Sequence, residues 1–335
     1  MYKELYFASK LGDIEKIEQL IEKGADINFR YKKTKGGSPL FIATANNQIN
    51  TVKFLLEKGA DLYSVDKFGR TALHISALLN RVEIAELLIS RGLEVDSDVG
   101  NLVKTPLHMA AKSGSFKTLE LLISKDADVD KRDFMGHTPL RLATDYGHLR
   151  VAKELLHLST VIFEEDVAYF NFHAMYRKGH FSVIKEILEY YFARGYSSDR
   201  VCNKRFVAFI VKKGNLEILK IILDCGYDMD NCLSTYGMII LHYSINNNKV
   251  DIVRELCSRG ARLDIEMSRM GSTLHIACKK GYLEIAKILL YHGADYEKKT
   301  ATSKRTPLDF LNPIDRLEIE EYISSLPCNI KPAKR

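Results

Sequence analysis

Four histidines recur in one local setting: Leu73-His74, Leu107-His108, Leu241-His242 and Leu274-His275. Histidine is the commonest acid–base residue and a common metal ligand. A histidine that returns with the period of the chain, however, is better explained by what that period builds. His275 and Cys278 lie three apart, a spacing on one helix that could ligate zinc. No second pair completes four ligands, and Cys278 stands where other units carry alanine, so it reads as a core thiol. Six cysteines (202, 225, 232, 257, 278 and 328) fall in the second half, and none forms a C-x-x-C pair. They read as reduced thiols of a cytosolic protein. Pairing of Cys202 with a distant histidine in a nucleophilic site has no local signature. The Gly36-Gly37 pair lacks the G-x-x-x-x-G-K-[ST] frame, and no H-E-x-x-H, G-x-S-x-G or EF-hand pattern occurs. No catalytic residue, cofactor site or metal site is assigned.

The 335 residues carry a formal charge of +6, with 27% charged and 46% hydrophobic residues. That balance supplies a core and argues against wholesale disorder. Basic clusters are short and scattered: Arg30 to Lys35, Lys212-Lys213, Lys279-Lys280 and Lys331 to Arg335. Acidic clusters answer them at Glu164-Glu165-Asp166 and Glu318-Glu320-Glu321. The expectation is a mixed solvated surface, which argues against nucleic acid as partner. The N-terminus lacks an apolar run of signal-peptide length, and no stretch approaches ~18 uninterrupted apolar residues. No membrane role is expected.

The elements that must position these residues are repeats. Thr71-Ala72-Leu73-His74, Thr105-Pro106-Leu107-His108, Thr138-Pro139-Leu140 and Thr306-Pro307-Leu308 share a signature, with Ser272-Thr273-Leu274-His275 and Ser38-Pro39-Leu40 as variants. A second signature runs through Gly24-Ala25-Asp26, Gly59-Ala60-Asp61, Gly260-Ala261 and Gly293-Ala294-Asp295. The leucine of the first signature serves as a ruler: Leu5, Leu40, Leu73, Leu107, Leu140, then Phe172 and Val207 in its place, then Leu241, Leu274 and Leu308. Successive spacings are 35, 33, 34, 33, 32, 35, 34, 33 and 34. A fixed period of this size marks a repeat architecture. Thr71 and Thr105 stand where an N-cap hydroxyl is wanted, and Pro106, Pro139 and Pro307 follow at the first helical position. Gly114, Gly147 and Gly281 break the chain into a turn. A second helix carries apolar residues at helical spacing, such as Val52, Leu55 and Leu56.

The pattern resembles the ankyrin repeat over about residues 2 to 325, strongly in the first five units and weakly between about 157 and 235. The resemblance implies an all-α solenoid of about ten helix-turn-helix units with hairpin fingers. It also implies that the recurring histidine bonds loop backbone groups. The expected segments are 1–157 (units 1–5), 158–236 (degenerate units 6–7), 237–325 (the last units and a cap) and 326–335, a basic tail. The end units, beginning Lys3-Glu4-Leu5-Tyr6 and Asn312-Pro313, read as caps. The middle units read as drifted repeats that still stack; the other reading is a joint or contact surface.

Such stacks offer a concave face of finger tips and first helices, on which residues the frame does not need are free to bind. Asp66-Lys67-Phe68 and Arg132-Asp133-Phe134-Met135 are two such tips. Leu78-Leu79 and Asp145-Tyr146 lie on first helices, with Arg269-Met270 and Lys279-Lys280 as counterparts near the C-terminus. Phe68, Leu78, Leu79, Phe134, Met135 and Tyr146 are the expected centre of a partner site. The first finger, Arg30 to Lys35, is read as a solvated loop, the other reading being a clamp for an acidic peptide or nucleic acid. The expectation is a non-catalytic, monomeric, cytoplasmic scaffold for a protein partner. The alternative is a microbial or viral effector that recruits a host protein in the host cytoplasm.

Overall fold

The computed structural model describes residues 1–31, 37–98, 104–159, 172–196, 202–230, 238–266, 271–301 and 303–327. Most of the basic first finger, Glu164-Glu165-Asp166, Arg269-Met270, Cys232, Cys328 and the Lys331 to Arg335 tail lie outside these residues. The chain forms two compact units, Met1–Ile187 and Leu188–Arg335. The boundary falls inside the segment expected to be degenerate.

The first unit opens with five helical pairs: α1 (Tyr2–Leu11) and α2 (Ile14–Glu22), α3 (Pro39–Ala45) and α4 (Ile49–Glu57), α5 (Ala72–Leu78) and α6 (Val82–Ser90), α7 (Pro106–Ser113) and α8 (Phe116–Ser124), α9 (Pro139–Tyr146) and α10 (Leu149–Leu158). A sixth pair, α11 (Phe172–Arg177) and α12 (Phe181–Ala193), runs across the boundary. First helices pack in order, α1 on α3, α3 on α5, α5 on α7, α7 on α9 and α9 on α11. Second helices α4, α6, α8 and α10 form a parallel row. The second unit holds α13 (Lys204–Lys213) and α14 (Leu216–Asp224), α15 (Ile240–Asn246) and α16 (Val250–Ser258), α17 (Thr273–Lys279) and α18 (Leu283–Tyr291). A 3-10 turn (Pro307–Phe310) and α19 (Pro313–Ser325) close it. There α13, α15, α17 and the 3-10 turn form one row, and α16, α18 and α19 the other. The fold is an all-α repeat solenoid, as the ruler requires.

The local reasons repeat from pair to pair. Ser38, Thr105 and Thr138 accept the backbone N–H of Phe41, His108 and Arg141 at 3.4, 3.4 and 3.2 Å, the N-cap bond that spares an orphan donor. The ruler residues Leu40, Leu73, Leu107, Leu241 and Leu274 are at most 1% exposed, and Ala43, Ala77, Ala110, Ala143 and Ala277 are fully buried. Small side chains at these points let neighbouring first helices come close, and the ruler leucines fill the seam.

The glycine after the first helix does more than turn the chain. At Gly114 (φ 73°) and Gly147 (φ 79°), an added Cβ would lie 2.5 and 2.3 Å from Nδ1 of His148 and His180, each from the next repeat. His148 also bonds the Lys112 carbonyl through Nε2 at 3.0 Å. The turn therefore needs both a left-handed backbone and an empty Cβ position. Where no glycine stands there, Asn47, Asn80 and Asn248 take positive φ, as short amide side chains tolerate.

The middle pairs keep the core while changing its chemistry. In α12, Val183, Ile184, Ile187, Leu188 and Tyr191 are buried, and the helix runs to 13 residues against nine in most second helices. Tyr191, fully buried, packs edge-on against Tyr196.

Candidate functional site

The recurring histidines are structural bolts. Backbone N–H of Thr71, Thr105 and Ser272 donates to Nδ1 of His74, His108 and His275 at 3.2, 3.2 and 3.1 Å. Each Nδ1 thus acts as acceptor, which leaves the proton on Nε2. Nε2 then donates across to the next finger, to the carbonyls of Lys104 (2.7 Å), His137 (3.0 Å) and Arg305 (3.2 Å). Burial holds these imidazoles neutral: His74 is pushed down to about 4, against the opposing pull of the Lys104 carbonyl. His108, His242 and His275 are lowered for the same reason. His242 reaches the Ile265 carbonyl at 3.2 Å, but Ile239 occupies the N-cap and offers no hydroxyl. Its buried Nδ1 has no partner.

Three of the described thiols, Cys202, Cys257 and Cys278, are buried as well, and Cys225 is half-buried. Burial raises Cys257 and Cys278 to about 12 and raises Cys202 further, the direction opposite to nucleophile activation. With both nitrogens of His275 already bonded, it and Cys278 form no ligand pair. Among the described residues no group of three or more His, Cys, Asp or Glu is placed to hold a metal.

The finger tips are built around buried carboxylates. Asp66 and Asp133 have fully buried side chains. Asp66 Oδ1 accepts from the N–H of Phe68 (2.9 Å) and Arg70 (3.0 Å), and its Oδ2 takes the Arg70 guanidinium at 2.9 and 2.6 Å. Asp133 Oδ1 accepts from Met135 and His137, both at 2.9 Å, with Lys104 Nζ 3.6 Å from Oδ2. Gly69 and Gly136 take positive φ and donate back to the carbonyls of Asp66 and Asp133. Read from sequence as dispensable tip residues, both aspartates are needed by the frame. They fix the residues that follow them.

Phe68 and Met135 occupy the same tip position two repeats apart, 41% and 62% exposed. Lys67 and Arg70 lie over the Phe68 ring at 5.0 and 4.9 Å. Phe134, one residue before Met135, is also exposed. Leu79 caps α5 and Tyr146 ends α9. Both are six residues past their ruler leucine and both are exposed. Lys112 and Lys178 flank the Tyr146 ring at 5.3 and 5.4 Å. Leu78 is only half-buried, and its carbonyl accepts from Ser115. The six expected residues thus fall into two rows, one of finger tips and one of first-helix ends, with α7 between their members. Several exposed apolar residues escaped the sequence reading, two of them on the first helix of the chain. Phe7 and Leu11 on α1, 45% and 73% exposed, stand two and six past Leu5, and Leu11 continues the row of Leu79 and Tyr146. The ruler offset was the signal that could have found them.

Rows of stacked helical hairpins with bonded fingers define a repeat scaffold that presents a surface. A family model described as ankyrin repeats (3 copies) matches residues 5–99, 95–166 and 207–300. The chain belongs to the ankyrin-repeat family, whose repeats generally mediate protein–protein interaction and are typically non-catalytic. It is 24% identical over 298 residues to the ankyrin repeat and KH domain-containing protein mask-1 of Caenorhabditis elegans, covering 88% of this chain and 10% of that protein. To the E3 ubiquitin-protein ligase KEG of Arabidopsis thaliana it is 22% identical over 87% of this chain and 14% of that one. The rat ankyrin repeat and SAM domain-containing protein 6 is 35% identical over 98 residues, 29% of this chain and 11% of that one. The chain thus spans roughly a tenth of the length of these relatives. No described helix is long and apolar enough to cross a membrane.

Proposed function

We propose that the protein is a non-catalytic cytoplasmic scaffold that holds a protein partner against the first helices and finger tips of Met1–Ile187. Phe68, Leu79, Phe134, Met135 and Tyr146 are its contacts, and Phe7 and Leu11 extend the row. One observation carries this reading. Large apolar side chains stay exposed at the same register in alternate repeats, Phe68 with Met135 and Leu11 with Leu79 and Tyr146. The frame beneath them is closed, with Ile75, Met109 and Leu142 buried between the two rows. Apolar groups that no core requires, set in rows on a rigid support, are what a partner buries.

The test replaces Phe68, Leu79 and Phe134 together with serine. Parent and variant are used to capture proteins from lysate, and bound proteins are identified by mass spectrometry. A partner held by the parent is expected to be lost from the variant while the thermal midpoint stays unchanged. The same set of bound proteins on both would overturn the reading.

A further inference from the structure

Six residues past the ruler, where the first unit alternates Leu11, Leu79 and Tyr146 with Asn46, Ser113 and Lys178, the second unit shows Lys213, Asn247 and Lys280; one position earlier come Lys212, Asn246 and Lys279. Sequence alone read these lysines as scattered. Stacking of α13, α15 and α17 lines them up along one edge. All four lysines are exposed, and among the described residues no carboxylate lies within ion-pair distance of any of them. On the second-helix side, by contrast, charges are matched: Lys220 with Glu255, Arg254 with Glu284, Arg259 with Asp224 and Glu255, Lys287 with Glu318. Lysine at a helix C-terminus is favoured by the helix dipole, and Lys280 bonds the Asn246 carbonyl at 3.2 Å. That local preference accounts for single lysines, not for two adjacent pairs left without a described counter-charge beside a second row whose described cations are paired.

Between the lysine pairs the surface changes character. Asn247 donates its Nδ2 to the Tyr243 carbonyl at 2.8 Å, and Asn246 donates its Nδ2 to Met238 Sδ at 3.7 Å. Each amide thereby uses one of its two N–H donors locally and keeps its acceptor Oδ1 for other partners. Lys212, Met238, Tyr243, Asn246 and Asn247 line a groove of about 260 Å³. The order along the edge is cation pair, acceptor pair, cation pair. Neighbouring first helices pack ~10 Å apart, so the cation pairs stand ~20 Å apart. Six extended residues span that length.

We propose that this edge of the second unit binds an extended acidic protein segment. Carboxylates at its two ends meet Lys212-Lys213 and Lys279-Lys280, and backbone N–H groups in its middle donate to Asn246 and Asn247. The aromatic rings beside the lysines, Phe209 and Tyr282, are already covered by Lys213 and Lys280 at 5.7 Å, so they give bases no stacking platform. The proposal rests on residues of the second unit alone and is independent of the apolar rows on the first.

The experiment measures fluorescence anisotropy of a labelled peptide with the full chain. The peptide has glutamates at its first two and last two positions and glycine-serine between them. The parent is expected to bind it, to ignore the matching glutamine peptide, and to weaken as salt rises. Lys212→Glu with Lys280→Glu should weaken binding tenfold or more. Lys53→Glu with Lys117→Glu, the same change in net charge on second helices of the first unit, should leave it within twofold. The Phe68, Leu79, Phe134 triple-serine variant should bind the peptide like the parent, which separates this outcome from the apolar reading. No peptide binding, or equal loss in both charge-reversed variants, would overturn the proposal. So would tighter binding of a single-stranded RNA oligonucleotide abolished by Lys212→Glu with Lys280→Glu, which would assign the edge to nucleic acid.

Discussion

At one register position, six past the ruler, the two units differ: large apolar side chains recur in one and are missing from the first helices of the other. Met1–Ile187 shows Leu11, Leu79 and Tyr146 there in alternation with Asn46, Ser113 and Lys178, whereas the first helices of Leu188–Arg335 show only polar groups, Lys213, Asn247 and Lys280. At the ruler position, six residues earlier, the two units agree: Leu73 and Leu107 in one, Leu241 and Leu274 in the other, all fully buried. The repeat therefore separates what it must keep from what it can change, within two turns of one helix. Buried positions are constrained by the neighbour's packing, and exposed ones answer only to solvent or a partner.

That contrast can be broken in order of expected size. Leu107→Ala removes a fully buried side chain from the seam between three first helices and should cost about 2–5 kcal/mol. Leu79→Ala, six positions past its own ruler, should stay within about 1 kcal/mol. Urea unfolding of both variants measures the difference, and equal costs would erase the distinction. Acid comes next. His74 titrates at about 4 in the folded chain against 6.5 unfolded, so between those values the unfolded state binds the extra proton. Its stabilisation is complete above pH 6.5 and is lost as pH falls towards 4, about 3 kcal/mol in all. His108, His242 and His275 act in the same direction. Unfolding midpoints should fall steadily from pH 7 to pH 4.5, and a flat profile would remove the neutral buried imidazoles from the account. Gly147→Ala combines positive φ with a clash against His180 and should cost about 1–3 kcal/mol. Gly59→Ala, with nothing within 4 Å of the new Cβ, carries only the strain of φ, about 1 kcal/mol. The smallest expected change is Ile239→Thr. A hydroxyl there gives His242 Nδ1 its missing partner, and this gain offsets lost apolar burial to within about 1 kcal/mol.

Much of this frame was legible because it is periodic in one dimension. The ruler leucines, the Thr and Ser caps and the glycine turns all recur at spacings set by one repeat, so their roles show without any neighbour in view. Residues defined by what lies beside them in the next repeat were harder to read. Asp66 and Asp133 were read as tip residues the frame does not need; their burial comes with the turn that closes through Gly69 and Gly136. Lys212-Lys213 and Lys279-Lys280 looked scattered, being 67 residues apart in the chain. Stacking sets them along one edge, with one helix between. Phe7 and Leu11 were passed over because α1 lacks the Thr-Pro start that drew attention to its siblings. Partner contacts stay faint for a related reason: the frame leaves them free, so no periodic constraint marks them.

The imidazole bridges have a consequence for how the chain comes apart. Each ring joins a helix start to the following loop, so opening one hairpin tugs on its successor, and fraying is shared along the row. At position 242 the ring is anchored to the loop alone. Amide protons around Ile239 to Ile245 should therefore exchange with solvent sooner than those around Thr105 to Ala111, even though both helices are equally well buried.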